Sequence, residues 1–172
     1  MTEKASVVDQ PNLHTLSVLV ENKFGVLARI AGLFSRRGFN IFSLAVAPTD
    51  DPSLSRVSIV VDVHNTDAAQ ITKQLDKLVN VLEITELQPA SSVERELMLV
   101  RLTANDSEAL QELIKPFGGS IVDSNEDQTI ISVHAHPNEL DLCETALRKF
   151  GIVELQRTGR IALGHLGGSK SD

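Results

Sequence analysis

The chain has 172 residues, enough for one ordinary domain or two small ones. Hydrophobic residues make up 42% of it and charged residues 23%, a balance typical of soluble globular proteins. The net charge of −7 argues against a general nucleic-acid binder or a polybasic membrane binder. No stretch approaches the roughly 20 apolar residues that span a bilayer, and the N-terminus has no apolar signal-peptide core. We therefore expect a cytoplasmic protein.

The first half of the chain predicts four strands and two helices. Segments in which apolar and polar residues alternate, or in which β-branched residues dominate, predict strands. These strands cover residues 14–21, 40–47, 56–63 and 81–87. The first helix ends at Gly38, a residue suited to a left-handed C-terminal cap. Thr66 or Asp67 caps the second helix. Its predicted inner face carries Ile71, Leu75, Leu78 and Val79.

The order βαββαβ has a structural consequence. Two helices that both connect strands of one antiparallel sheet lie on the same face of that sheet, which is the ferredoxin-like arrangement. The other face is then left uncovered. A small sheet with an uncovered face or open edges usually finds a partner, so we expect the chain to dimerise.

The second half repeats this order in a diverged form. The polar segment 88–94 contains a proline and is interpreted as a short linker. Asn105 with Glu108 resembles a capping box for the third helix, and Pro137 suits the first turn of the fourth. Strands are predicted at residues 96–104, 120–124, 129–135 and 152–156, with 160–163 as a possible addition. The predicted fold class is α+β, with two ferredoxin-like βαββαβ domains, antiparallel sheets and helices on one face. The predicted domains cover residues 14–88 and 95–164.

The sequence lacks the motifs of catalytic and cofactor-binding sites. It contains no P-loop, no dinucleotide-binding glycine pattern after a strand and no metalloprotease motif. His134 and His136 lie two apart on a predicted strand and point the same way, but they have no third ligand at comparable spacing. A solvent-facing pair is the better interpretation. The single cysteine, Cys143, is expected to be a small buried core residue. The adjacent carboxylates Asp50 and Asp51 are typical of turn chemistry.

The loop of residues 22–27, between the first strand and the first helix, has the features of a binding site. The N–H groups of a first helical turn have no intrahelical acceptors and favour an anion. Gly25 lets the backbone approach a ligand closely, so a carboxylate could lie on these N–H groups. Asn22 offers a neutral donor and acceptor suited to an ammonium group, and a sheet-mediated dimer could bring Asn40 over the same loop of the partner chain. The spacing alone fits a plain turn equally well. The candidate binding residues are Asn22, Gly25, Val26, Leu27, Asn40 and Ile41.

Several segments resemble one known family. The start LSVLVENKFGVLAR, the turn GLFSRRGFNI and the segment APTDDPSLSRV resemble the ACT domain of the acetohydroxyacid synthase (acetolactate synthase) small subunit. Downstream, QITKQLDKLVNVL, VERELMLVR and FGIVELQRTGRIALG are similar to the rest of that subunit. The resemblance covers residues 14–164. By position, Asn22 and Gly25 fall on the family's effector loop, and Asn40 falls on an asparagine contributed across the dimer.

The resemblance implies a non-catalytic regulatory subunit. Small subunits of this family bind the large catalytic subunit, raise its activity and confer feedback inhibition by branched-chain amino acids, typically valine. The implied partners are that large subunit, a second copy of the chain paired through the ACT domains, and a branched-chain amino acid. Thiamine diphosphate, magnesium and FAD belong to the large subunit, so no cofactor is expected here. No nucleic acid or membrane is expected as a partner.

Two residues depart from the family pattern. Phe24 stands where a smaller residue is usual, and Phe42 stands where Glu is more frequent. They leave open which of valine, leucine and isoleucine is the preferred effector. The alternatives to the regulatory subunit are a tandem-ACT amino-acid sensor that acts on a different partner, a ferredoxin-like enzyme, and an assembly subunit without an effector response.

Overall fold

The computed structural model of the protein describes residues 12–63, 67–103 and 107–166. The chain divides into two compact units, whose boundary, apart from Ser43–Val46, lies between Glu86 and Leu87. Two predicted cap residues, Thr66 and Asn105, lie outside the described residues. Among the described residues, no helix combines the length and the apolar character that crossing a membrane requires.

The first unit has the predicted βαββαβ order. Its strands align in the order β2-β3-β1-β4, and β1 pairs antiparallel with β3 over its whole length. This is the strand order of a ferredoxin-like sheet, so the predicted fold is confirmed for this unit. Its elements are β1 (Leu13–Glu21), α1 (Val26–Arg37), β2 (Ile41–Pro48), β3 (Leu54–Asp62), α2 (Ala68–Leu75) and β4 (Val81–Leu87).

The centre of the first sheet is buried on both faces. Leu16 and Val18 lie opposite Ile59 and Val57 in the β1–β3 register, and all four are almost completely buried. The alternate positions of β1, which carry small polar side chains, are buried as well, and Ser17 is only 5% exposed. The expectation of an uncovered second face is therefore wrong for these central strands. Ser17 Oγ accepts a hydrogen bond from Nη1 of Arg56 at 3.0 Å, which offsets the cost of burying this hydroxyl.

The first helix ends as the sequence predicts. Gly38 adopts a left-handed conformation with φ +69°, and the next N–H, that of Phe39, donates to Phe34 O at 3.0 Å. The rings of Phe34 and Phe39 meet edge to face, with centroids 5.8 Å apart. Such a contact across a glycine cap is typical of helix C-termini.

The second helix is shorter than predicted. Its N-cap is Asp67, whose carboxylate accepts a hydrogen bond from Ala69 N at 3.0 Å. The helix ends at Leu75, so the chain has already turned when it reaches Leu78. Val79 is 90% exposed, and its predicted place on the inner face is therefore wrong.

The second unit repeats the fold with one additional strand. Its strand order is β6-β7-β5-β8, and β9 pairs antiparallel with the start of β5. The core is aliphatic and centres on Met98, Val100 and Leu102 of β5. These strands and helices are β5 (Ser92–Leu102), α3 (Ser107–Ile114), β6 (Ser120–Ser124), β7 (Thr129–Ala135), α4 (Pro137–Leu147), β8 (Ile152–Arg157) and β9 (Ile161–Gly164).

The strand β5 begins inside the segment that was predicted to be a linker. It starts at Ser92, after a short 3-10 turn at Pro89–Ser91, so the end of segment 88–94 is strand. After Ser92, the next two buried residues of β5 are acidic: the side chains of Glu94 and Glu96 are buried, and they pair with Arg160 and Arg157. The domain bounds 14–88 and 95–164 stay a prediction.

Cys143 lies in the core of the second unit, and His134 and His136 lie at the end of β7 and the start of α4. Cys143 is fully buried in the second core, as predicted, and burial raises the pKa of its thiol to about 11. His134 lies exposed on β7, whereas His136 follows the strand and caps α4, accepting from Asn138 N through Nδ1 at 3.3 Å. The prediction that both histidines lie on one strand is therefore wrong. Within the described ranges, no three His, Cys, Asp or Glu side chains cluster as metal ligands.

Candidate functional site

The turn between β2 and β3 holds the start of the 22–27 loop. Asn22 N donates to Ser53 O at 2.7 Å, and Asn22 Nδ2 donates to Pro52 O at 2.9 Å. Asp51 stabilises this turn, since its Oδ1 accepts from both N and Oγ of Ser53, at 2.9 and 2.7 Å. These hydrogen bonds hold the pKa of the Asp51 carboxyl below its usual range. The carboxylate Asp51 therefore serves turn chemistry, as predicted. Among the described residues, no hydrogen-bond donor lies on the side-chain oxygen of Asn22.

Gly25 forms the start of α1 in a conformation that favours glycine. Its φ is +83°, and a Cβ added there would meet nothing within 4 Å. The N–H of Val26 has a long contact, 3.4 Å, to Lys23 O. In the part of the chain that the structure describes, no acceptor lies on the N–H groups of Gly25 and Leu27. The first turn of α1 carries no acidic side chain, so its positive end is open to an anion.

Charged and amide side chains surround the base of this loop. Glu21 accepts from Lys23 Nζ at 2.8 Å and from Asn80 Nδ2 at 2.5 Å. These two hydrogen bonds hold the pKa of the Glu21 carboxyl below its usual range. Asn80 also accepts from Nη1 of Arg29 through Oδ1, at 2.7 Å. The sequence pattern does not single out Asn80, because it stands in a turn that follows α2 and far from the loop in sequence.

Asn40 and Ile41 lie at the other end of the sheet. β1 is antiparallel to β3, and the hairpin between β2 and β3 makes β2 run in the same direction as β1. The beginning of β2 is therefore separated from the end of β1 by about 25 Å, the length of an eight-residue strand. Asn40 is exposed and Ile41 is half-buried. One chain brings Asn22, Gly25, Val26 and Leu27 together, but it does not bring Asn40 and Ile41 to them.

Two phenylalanines near these positions are exposed. The side chain of Phe24 extends completely into solvent beside Gly25, and Phe42 is 58% exposed at the start of β2. Leu27 is 42% exposed on the same turn of helix, whereas Val26 is buried. Phe24 and Leu27 therefore place two exposed apolar side chains on this loop, next to the polar groups at its base.

The fold and the family match together define an ACT-domain protein. Residues 16–83 match the family of ACT domains like that of the AHAS small subunit. Residues 95–165 match the family described as the small subunit of acetolactate synthase. The chain belongs to the acetolactate synthase small subunit family, as the resemblance of its sequence predicts.

Individual relatives agree with this family. The chain is 41% identical to the probable acetolactate synthase small subunit of Methanothermobacter thermautotrophicus, over 90% of this chain and 94% of that protein. It is 45% identical to the probable small subunit of Archaeoglobus fulgidus, over 87% and 95% of the two chains. The crystal structure of the acetolactate synthase small subunit from Thermotoga maritima is similar, with a TM-score of 0.83 and 34% identity over 90% of this chain and 98% of that one.

Proposed function

We propose that the chain is the regulatory subunit that activates the thiamine-diphosphate-dependent catalytic subunit of acetolactate synthase in the cytoplasm. In this proposal it also confers feedback inhibition by valine, or by another branched-chain amino acid, in branched-chain amino acid biosynthesis. Membership of the small-subunit family supports the regulatory role. The chain itself performs no catalysis, and thiamine diphosphate, magnesium and FAD stay with the catalytic subunit.

The observation that carries the effector site is that the N–H groups of Gly25 and Leu27 have no acceptor among the described residues. The valine carboxylate lies on the N–H groups of Gly25, Val26 and Leu27, where the partial charge of the helix N-terminus favours an anion. The ammonium group lies near the free side-chain oxygen of Asn22. Asn40 and Ile41 come from a second copy of the chain, because one chain keeps them at the other end of its sheet.

The aliphatic side chain of the effector fits the apolar surroundings of the loop. Leu27 is partly exposed there, and the neighbouring Val26 is buried. Burial of a valine or leucine side chain against such residues contributes about 1.5–3 kcal/mol when it is complete. The effector regulates the enzyme only if it binds two states of the complex with different affinity, and a coupling of about 1–3 kcal/mol is ordinary for such systems.

Reconstitution tests the regulatory role. The activity of the purified catalytic subunit is measured with and without this chain, over a range of valine concentrations. We expect the chain to raise the activity and to make it sensitive to valine. Unchanged activity together with valine binding by the chain would indicate a sensor for another partner. If the chain raises the activity of the catalytic subunit, and valine, leucine and isoleucine all fail to lower it again, the chain is an assembly subunit.

Two substitutions of Gly25 test the position of the effector carboxylate. Asp and Asn have similar size, and both tolerate a positive φ, so they differ mainly in charge. We expect Gly25→Asp to raise the valine concentration for half inhibition about tenfold or more, because it places a negative charge beside the ligand carboxylate. Gly25→Asn should change this concentration by about threefold or less. If both variants respond equally, the carboxylate does not lie on this loop.

A further inference from the structure

The side chain of Asn80 connects the two ends of the 22–27 loop. Asn80 lies in the turn between α2 and β4. Its Oδ1 accepts from Nη1 of Arg29 at 2.7 Å, and its Nδ2 donates to Oε2 of Glu21 at 2.5 Å. We name these two side-chain hydrogen bonds the Asn80 bridge. A backbone hydrogen bond from Glu21 N to Asn80 O, at 3.0 Å, places the two residues side by side.

The two residues that Asn80 contacts lie on either side of the loop. Glu21 is the last residue of β1 and directly precedes the loop. Arg29 lies one helical turn beyond Gly25, and its N–H donates to Gly25 O at 3.0 Å. The bridge therefore ties the strand that enters the loop to the helix that leaves it, through a third element. Asn22 provides the loop's other anchor, on the turn between β2 and β3.

An asparagine is suited to this position by its hydrogen-bonding groups. Its carbonyl oxygen is an acceptor for a guanidinium, and its NH2 group is a donor for a carboxylate. Only one orientation of the amide satisfies both Arg29 and Glu21, so both contacts restrain the same side chain. The bonds from Asn80 and Lys23 also fix the carboxylate of Glu21, which would repel a ligand carboxylate if it swung over the free N–H groups.

We propose that Asn80 is a positioning residue for the 22–27 loop and thereby sets the affinity of the chain for its amino-acid effector. This inference rests on the proposed function, because it requires the effector to lie on that loop. Asn80 does not touch the ligand. It keeps the N–H groups of Gly25 and Leu27 in a direction from which both can donate to one carboxylate, and hydrogen bonds weaken steeply when the donor is misaligned.

Titration calorimetry of the full chain with valine tests this, with leucine and isoleucine as further probes. We expect Asn80→Ala to weaken valine binding about five- to fiftyfold, because the ligand senses only part of the free energy of the two lost hydrogen bonds. Arg29→Ala removes one arm of the bridge from an exposed helix surface and should weaken binding about three- to tenfold. The matched control is Arg101→Ala, which breaks an exposed Arg101–Glu154 ion pair of the same length, 2.7 Å, in the second unit. It should leave valine affinity unchanged.

The Asn80→Asp variant tests the positioning role through the pH dependence of valine affinity. A residue that only stabilises the fold would not change this dependence. The new carboxylate still accepts from Arg29, but it faces the carboxylate of Glu21 without a donor between them. Two adjacent carboxylates raise the pKa of one of the pair, so a proton can restore the bond between them at low pH. We expect valine binding by this variant to be weak at about pH 8 and to recover towards pH 5.5. The parent should stay constant in this range, because the pKa of Glu21 is already below its usual value.

The outcomes separate this inference from the proposed function. If the parent binds valine and both Asn80→Ala and Arg29→Ala bind it equally well, the inference is wrong and the proposed function stands. If the parent binds none of the three branched-chain amino acids, the proposed effector function is wrong, and the positioning role of Asn80 falls with it. A pH-independent affinity of Asn80→Asp, equal to that of the parent, also overturns the inference.

Discussion

At the scale of single residues, Gly151 has the tightest surroundings among the glycines that require a positive φ. Its φ is +71°, and a Cβ added there would lie 2.2 Å from Oγ1 of Thr103. That hydroxyl donates to Phe150 O at 3.2 Å, so it cannot rotate away without losing this bond. Gly118 has almost the same φ, +70°, but its nearest neighbour, His134 O, would be 3.4 Å away. The two glycines therefore share backbone strain and differ in steric clash.

We expect Gly151→Ala to destabilise the chain by about 3 kcal/mol, the sum of the cost of a left-handed alanine and of an overpacked contact. Gly118→Ala should cost about 1–2 kcal/mol, because only the backbone strain applies. Urea unfolding of both variants and the parent measures the difference. Equal losses of stability for the two variants would show that Thr103 yields to the added methyl group without cost.

At the scale of the elements, α2 has one side-chain cap, at its N-terminus. It is only eight residues long, and Asp67 accepts from Ala69 N at its N-terminus. We expect Asp67→Ala to lower the free energy of unfolding by about 1 kcal/mol, because one N–H of the first turn loses its acceptor. Asp67→Asn keeps an oxygen acceptor and should retain most of that stability. If Asp67→Asn lowers the free energy of unfolding as much as Asp67→Ala does, then the charge, and not the hydrogen bond, stabilises the start of the helix.

The pattern of apolar residues predicts elements well where the inward face is apolar. The strand β1 is of this kind, and its predicted bounds, 14–21, differ by one residue from the observed Leu13–Glu21. β5 fails the rule in its first half, because Glu94 is buried against Arg160 while Val93 is 44% exposed. Charged side chains face inward and apolar ones face outward there, because ion pairs replace apolar burial. The sequence pattern therefore predicts a linker in place of a strand.

The candidate site was predictable to the extent that it is local in sequence. Asn22 and Gly25 lie in one short loop, and the chemistry of a helix N-terminus follows from their positions. Asn80 was missed because it reaches the loop through tertiary contacts alone, 51 positions after Arg29. No periodicity or motif reports such a contact. The distance between Asn40 and the loop also depends on tertiary structure. It follows from the directions of β1 and β2 in the folded sheet.

At the scale of the whole molecule, the proposed effector site requires two copies of the chain. Because Asn40 and the 22–27 loop lie at opposite ends of one sheet, a two-fold axis perpendicular to the strands would bring each Asn40 to the end of the sheet where the loop of the other copy lies. Such a site links effector binding to dimerisation. Whatever factor valine contributes to the dimer constant, dimerisation contributes to valine affinity.

Sedimentation equilibrium over a range of valine concentrations measures this linkage. We expect saturating valine to strengthen the dimer about 5- to 150-fold, the usual range for a coupling of 1–3 kcal/mol. Asn40→Ala removes an exposed side chain and should therefore leave folding and the valine-free dimer unchanged, but it should reduce the effect of valine. A dimer constant that does not change with valine, while valine still binds, would mean that the site is complete within one chain. Asn40 would then have no part in effector binding, and the carboxylate, ammonium and side chain of valine would all be held around the 22–27 loop.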